Sequence, residues 1–540
     1  MLISTSPLHI MTTRMRVQQL FIILLLQPLS VLCLQFQRLH QPLVQPQQQQ
    51  AVPTSALFAH RRQILSSLAY TATLVTSPAF AVADTVATTA TPKVAPIIPT
   101  PPFRKDLSWP LGKVAFSLLP LAGTSTRRAT FQEEIVPNTI WTFDQLQGIV
   151  NVNVPVRQTV IRLSPAAGGG LWVHNPVAPT PQLISMMKNL ERQCGPIRHI
   201  VLGTVALEHK ATFGAFAQNF PNATVWIQPG QWSFPFNLPI ELEGVTQRGP
   251  KLREIPVPGR RVSSSVYEYY SQKDPTPEWA ADFDWEVLGP FAFQSVGGFS
   301  ETAFFHKPTR SLIVTDTVVS VTETPPAIIM EDPRALLYHA RDRSDIVLTD
   351  TEENRKRGWR RMVQFGLVFF PSQIDVVSVG RAFRDASHVD PRMRNLGEGS
   401  IPISPSLYPW TWPADDADIA SFRAISQDGA PFCPPILTKL ILDREPKATI
   451  EWVDAVCRHF DFVRVIPGHL NNNLRVGPKE FSAAFDVLRS TPQRVYPQRP
   501  LPEDLALLQK ASDLLTKFGV VGPSQVCDGE LARVQGRFRR

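Results

Sequence analysis

The sequence predicts an α/β protein with a mostly covered sheet. Short apolar runs alternate along the chain with segments of helical spacing, the pattern of strands interleaved with helices. One stretch holds that unit in miniature. Ile200-Val201-Leu202 is a buried strand, Phe213, Phe216, Ala217 and Phe220 recur at helical spacing until Pro221-Asn222, and Ala223 to Ile227 is a second strand. There is no internal repeat of about 20–50 residues, so a solenoid is not expected.

The 540 residues suffice for more than one domain and a sizeable core, and the 43% hydrophobic content is that of a globular chain. Of the formal charge of +8, five units belong to arginines 14, 16, 38, 61 and 62 in a stretch, residues 1–83, that holds no Lys, Asp or Glu. The remaining chain carries only +3, which excludes a general nucleic-acid-binding charge. Cys33, Cys194, Cys433, Cys457 and Cys527 have neither metal-ligand nor redox spacing. Cys33 lies in the leader, and sequence leaves the other four open to pairing or to the reduced state.

Residues 1–83 form a targeting leader. Arg14 and Arg16 precede the apolar run Leu20 to Leu34, a signal-peptide core. Gln35 to His60 is Gln- and Pro-rich and resembles a transit region. Arg61-Arg62 then precede a weakly apolar run ending in Ala79-Phe80-Ala81 and Ala81-Val82-Ala83, the pattern of a twin-arginine export signal. In this order the parts resemble the leader of an algal protein bound for the thylakoid lumen of a complex plastid. The alternative is a single secretory signal, which would expose the sequon Asn222-Ala223-Thr224 to glycosylation. No later segment reaches about 18 uninterrupted apolar residues, so the mature chain is expected to lack a transmembrane segment, with peripheral membrane contact left open.

The elements follow in order. Residues 84–105 form a Thr-, Ala- and Pro-rich disordered linker, and one domain is expected over residues 106–497. Gly112 to Leu121, Thr139 to Phe143, Val150 to Val156, Thr159 to Leu163 and Leu171 to His174 are strands. Thr180-Pro181 starts a helix with Leu183, Met186, Met187 and Leu190 on its apolar face, ended by Gly195-Pro196. Residues 244–279 form a polar surface insertion. Strands resume at Trp285 to Leu288, Ala303 to His306 and Leu312 to Thr315. Glu352 to Phe369 is a helix, and residues 382–428 are a second insertion of weak periodicity. Pro434 to Leu442 is helical or extended. The helix Ala448 to Phe460, the strand Phe462 to Ile466 and the helix Lys479 to Leu488 close the domain. Residues 498–540 hold a last amphipathic helix, Glu503 to Phe518, and a loose basic tail.

Three places put polar groups just after an apolar strand: Glu208-His209, with Lys210, in the loop after Leu202; Asp316; and His469 after Pro467-Gly468. Ends of strands are where open α/β sheets build sites. Imidazoles and carboxylates suit zinc or iron, and such a metal acidifies water for attack on an ester or thioester. Competing motifs are missing. No two histidines lie within four residues, no G-x-S-x-G elbow occurs, and Gly168-Gly169-Gly170 lacks a following Lys-Ser/Thr. Trp226, Trp232, Phe234 and Phe236 are expected in core and loops. Arg355-Lys356-Arg357 and Arg360-Arg361 are expected on a solvated helix face.

The runs RHIVLGTVALEHKATFGAFAQNFPNATVWIQPGQWSFPFNLP, RSLIVTDTVV, RKRGWRRMV and VRVIPGHL resemble a family of uncharacterised plant, algal and cyanobacterial proteins. That family is known as a domain of unknown function and is placed in the metallo-β-lactamase-like superfamily. The resemblance runs from roughly Thr139 to Leu488 outside the insertions. It implies an α/β, metallo-β-lactamase-like αββα sandwich with metals at one edge of two packed sheets. The superfamily motif T-H-x-H-x-D-H is degenerate here: Thr204 is followed by Val205, Ala206 and Leu207, the first two histidines are absent, and Glu208-His209 stand for the Asp-His pair at a spacing one residue short. Val296-Gly297-Gly298 offers no His for the next element. Asp316 matches the bridging Asp and His469 the closing His. The resemblance therefore implies one divalent metal, zinc or iron, on Glu208, His209, Asp316 and His469, with Lys210 steadying negative charge in a hydrolase. The alternative is a scaffold without metal or catalysis, a binding or assembly protein of the photosynthetic membrane system. The small-molecule substrate or protein partner is left open.

Overall fold

The computed structural model describes residues 95–109, 127–149, 151–231, 244–257, 276–292, 298–397, 406–413, 416–489 and 500–525. The leader, the strand expected at Gly112 to Leu121 and the tail beyond 525 lie outside the described residues, as do Trp232, Phe234 and Phe236.

Two sheets pack face to face. The first runs in chain order: β1 (Phe131–Val136), β2 (Ile140–Ile149), β3 (Val152–Arg162), β4 (Leu171–His174), β5 (Ile197–Leu202), β6 (Thr224–Ile227) and β7 (Leu252–Glu254). Its first four strands are antiparallel neighbours, and β4 to β7 are parallel. The second sheet has the order β13–β10–β9–β8, from β8 (Phe283–Ala292), β9 (Gly298–His306), β10 (Ser311–Ile313) and β13 (Arg464–Ile466). The short pair β11 (Asp375–Val376) and β12 (Trp410–Thr411) stands apart.

Strand residues alternate faces, and here both faces are apolar. Trp172, Val201, Trp226, Phe304, Ile313 and Ile466 point between the sheets, where they join Trp279 and Phe283 in one core. Their strand neighbours point outward. Val173, Ile200, Leu202, Val225 and Ile227 meet α1 (Pro181–Cys194) and α2 (Leu207–Ala217). On the far side, Ala303, Phe305, Leu312 and Val465 meet Trp452, Val453 and Val456. The layers thus run helix, sheet, sheet, helix, the metallo-β-lactamase-like sandwich that the resemblance implied.

A helical annex packs against the β2–β3 end of the first sheet. It comprises α3 (Ala327–Glu331), α4 (Arg334–Ala340), α5 (Glu352–Val368), α6 (Val379–Ser387), α7 (Ala417–Ser426), α8 (Pro435–Leu440) and, after α9 (Pro446–His459) and α10 (Pro478–Ala483), the last helix α11 (Pro502–Lys517). No described helix is long and apolar enough to cross a membrane.

Several expectations need correction. The described residues of the stretch 382–428 are not formless: most of α6 and all of β12 and α7 lie among them, and Tyr408, Trp410 and Trp412 are buried there. Their order comes from aromatic packing between distant segments, which leaves no periodic signal. The surface insertion 244–279 supplies β7 and the fully buried Trp279. The linker ends early, since Ile97 N–H donates to Arg392 O and Asn395 donates to Ile98 O. The two strands expected at Val150 to Val156 and Thr159 to Leu163 are replaced, among the described residues, by the single strand β3, Val152–Arg162, and β1 was unforeseen. Finally, the basic run on α5 is split. Arg355 and Lys356 pair at the surface with Asp350 and Glu352, but Arg360 and Arg361 are buried against Asp418. Cys194, Cys433 and Cys457 are free thiols; Cys33 and Cys527 lie outside the described residues.

Candidate metal centre

The three predicted places meet. β5 lies in the first sheet, and the parallel neighbours β10 and β13 lie in the second. All three end at the same edge of the sandwich, so the segments after them converge.

Glu208, His209 and Lys210 occupy the first turn of α2, not a loop. The sequence hid this because the N-cap residue, Ala206, has no side-chain acceptor. Thr204 replaces it: its hydroxyl accepts from Ala206 N–H (3.1 Å) and donates to Asp316 Oδ2 (3.3 Å). That helix turn buries His209 completely.

The donor atoms face one another. His469 Nε2 lies 2.9 Å from Asp316 Oδ1 and 3.2 Å from His209 Nε2, and His209 Nε2 lies 3.8 Å from the same carboxylate oxygen. Glu208 completes a group whose ligand atoms all lie within 4.8 Å of one another. Glu208 is the loosest member, with no hydrogen bond or ion pair among the described residues.

His469 Nδ1 lies 3.0 Å from Pro155 O, which can only accept, so Nδ1 carries a proton and Nε2 is the nitrogen turned toward the cluster. Two imidazole nitrogens and a carboxylate oxygen that crowd together in a buried place need positive charge between them. A proton or a metal ion meets that need. The spacings also suit a metal, because a tetrahedral ion with bonds of about 2.0–2.1 Å separates its ligand atoms by roughly 3.3 Å. Burial opposes the charged forms. Even so, the hydrogen bond and charge of Asp316, with the charge of Glu208, lift the pKa of His469 above the ordinary value. Burial pushes Asp316 upward too, yet the close approach of His209 and the hydrogen bond from His469 hold it well below the usual carboxylate range.

The sequence did not point to the residues that hold the donors in place. Glu301, fully buried on β9, accepts from Thr315 N–H (2.8 Å), Asp316 N–H (2.9 Å) and the Thr317 hydroxyl (2.7 Å). Burial, then the charge of Asp316, pushes its pKa up to about 8. Asn175 ties the two sheets by donating to the Thr315 hydroxyl and accepting from Gly203 N–H, both at 2.9 Å. Gly203 is needed for close approach, since a Cβ there would sit 2.4 Å from His174 Nε2. His174 is held neutral, its pKa driven down to about 3 by burial and then by His209. The only available signal was polar residues inside apolar strands, such as Glu301 in FSETAFF.

Lys210 is buried beside His209, and its Nζ donates to Gln231 O at 3.1 Å. Trp226 packs between the sheets and donates to His199 Nδ1. A separate crevice between the β2–β3 turn and α3 and α4 is lined by none of the four donors.

The family model described as "Domain of unknown function (DUF4336)" matches residues 137–487. No curated protein matches at a significant level. Among solved structures, the chain is similar to a metallo-beta-lactamase from Pontibacter korlensis, at 11% identity and a TM-score of 0.23 over 38% of this chain and 83% of that one. It is also similar to a beta-lactamase domain protein from Burkholderia ambifaria, at 13% identity and a TM-score of 0.22 over 47% of this chain and 80% of that one.

Proposed function

The chain belongs to the family described as a domain of unknown function, DUF4336, whose model spans residues 137–487, and from that premise we propose that it is a hydrolase working with a single divalent metal. The observation that carries the proposal is the convergence of Glu208, His209, Asp316 and His469 from three separated segments onto one point. A zinc or iron ion held there supplies Lewis acidity toward an ester, thioester or similar bond.

The chain's own residues supply the rest. Pro155 O fixes the ring of His469, Glu301 fixes the Asp316 segment, and the first turn of α2 presents His209 and Glu208. Lys210 is the fixed cation that steadies developing negative charge. The site would hold one metal, because the motif's first two histidines are absent from Thr204 to Glu208 and Val205, which follows Thr204, is packed in the core. That same departure from the motif favours the second reading, a non-catalytic binding or assembly protein of the photosynthetic membrane system.

Elemental analysis of the purified protein separates the two. The hydrolase reading expects about one zinc or iron per chain, lost in His469→Ala and retained in Lys210→Met, the latter with hydrolysis slowed by about 10²-fold. Folded protein that binds no metal sinks it. The leader further suggests a plastid protein, in the thylakoid lumen, with the secretory pathway as the alternative. Asn222 is exposed, so glycan at that residue in the native protein would mark the secretory route.

A further inference from the structure

We infer that the buried ion pair Arg157–Asp144 is the positioning element of the metal centre, holding the loop that presents His469. The inference rests on the metal reading above, but its structural half can be tested without metal.

Arg157 lies on β3 and is 1% exposed. Its Nε and Nη2 donate to the two oxygens of Asp144, on the neighbouring strand β2, at 2.8 and 2.7 Å. That fork fixes the plane of the guanidinium. The remaining donors reach the loop on both sides of His469: Nη1 donates to Pro467 O (2.8 Å) and Nη2 to Leu470 O (2.9 Å). The Arg157 backbone N–H also donates to Gly468 O (2.8 Å). Three carbonyls flanking one histidine therefore bind one residue.

The loop needs such a clamp. Leu470 holds φ at 58°, a left-handed conformation that a branched side chain disfavours. Gly468 sits where a Cβ would come 3.0 Å from Thr315 O, and its own N–H donates to that oxygen at 3.0 Å. The bond from His469 Nδ1 to Pro155 O is made two residues before Arg157 on the same strand. One strand thus sets both the backbone around His469 and the direction of its ring. A lysine cannot replace Arg157, because an ammonium lacks the planar fork that serves Asp144 and two carbonyls together.

The test uses the full chain and Co(II) as probe. The double variant Arg157→Met/Asp144→Leu removes both charges, so neither is left buried and unpaired. It is expected to melt cooperatively, to bind Co(II) about 10- to 100-fold more weakly, and to show an altered d–d band. In metal-free protein, the exchange-protected Nδ1–H resonance of His469, assigned by its absence in His469→Gln, is expected to shift or vanish. If the double variant does not fold, Arg157→Lys takes its place with the same readouts. An unmoved Nδ1–H resonance together with wild-type Co(II) affinity in a folded variant overturns the inference. Should the wild type take up no Co(II) while the resonance is lost in the variant, the hydrolase reading falls and the positioning role stands.

Discussion

Glu301 shows how a single residue sets the geometry of the centre. Its carboxyl collects two backbone N–H groups and a hydroxyl from the segment that carries Asp316. Glu301→Leu keeps roughly the same shape but leaves these donors unsatisfied, at about 1–3 kcal/mol each. Denaturant unfolding should show a loss of that order, together with lower metal occupancy; wild-type stability would remove Glu301 from this role. At this scale the sequence was informative about the donors and silent about their supports. Asp316 and His469 each follow an apolar run at the point where it breaks, which is visible in one dimension. A carboxylate inside a strand, or an arginine such as Arg157, gives the same signal whether it faces water or a buried partner.

Among the elements, α2 and α5 show the same limit. The apolar spacing of α2 was visible, but its start was not, because Thr204 caps it from two residues before the N-cap. On α5 the cluster of arginines looked like a solvated face. Asp418 of α7 instead accepts from Arg360 Nε at 3.1 Å, with Arg361 Nε at 3.5 Å, and all three residues are at most 3% exposed. Breaking a buried pair from one side typically costs about 3–5 kcal/mol. Asp418→Ala should therefore destabilise the annex by that amount, as read from thermal or denaturant melts. A change within about 0.5 kcal/mol, the usual range for surface substitutions, would contradict the burial. By contrast α1, with Thr180 accepting from Leu183 N–H and Pro181 opening the first turn, was legible because cap and apolar face are local.

On the scale of the whole molecule, burial makes the fold sensitive to acid. Burial drives the pKa of His199 and His306 down to about 4 and that of His339 to about 3. In the unfolded chain these rings titrate near pH ~6.5. Between those values the unfolded chain binds protons that the folded chain refuses. Their contribution is therefore complete above about pH 6.5 and declines as the pH falls, by up to about 1.4 kcal/mol per unit for each ring. Glu301 and Glu254, raised by burial to about 8 and about 7, act in the opposite sense over the same range, so the test is differential. His339→Phe should lessen the fall in melting temperature between about pH 6.5 and 4.5, and an unchanged slope would falsify the neutral, buried state of that ring.

The sequence by itself determined the α/β class and singled out Glu208, His209, Asp316 and His469 as polar groups placed just after apolar strands. These follow from local periodicity and from strands that end in polar residues. Only the tertiary structure decided that those donors face one another across two sheets, that Glu301, Asn175 and Arg157 hold them there, and that β12 and α7 form between residues 406 and 428. Each of these depends on contacts between residues far apart in the chain, where a polar group gains its partner only once the sheets have packed.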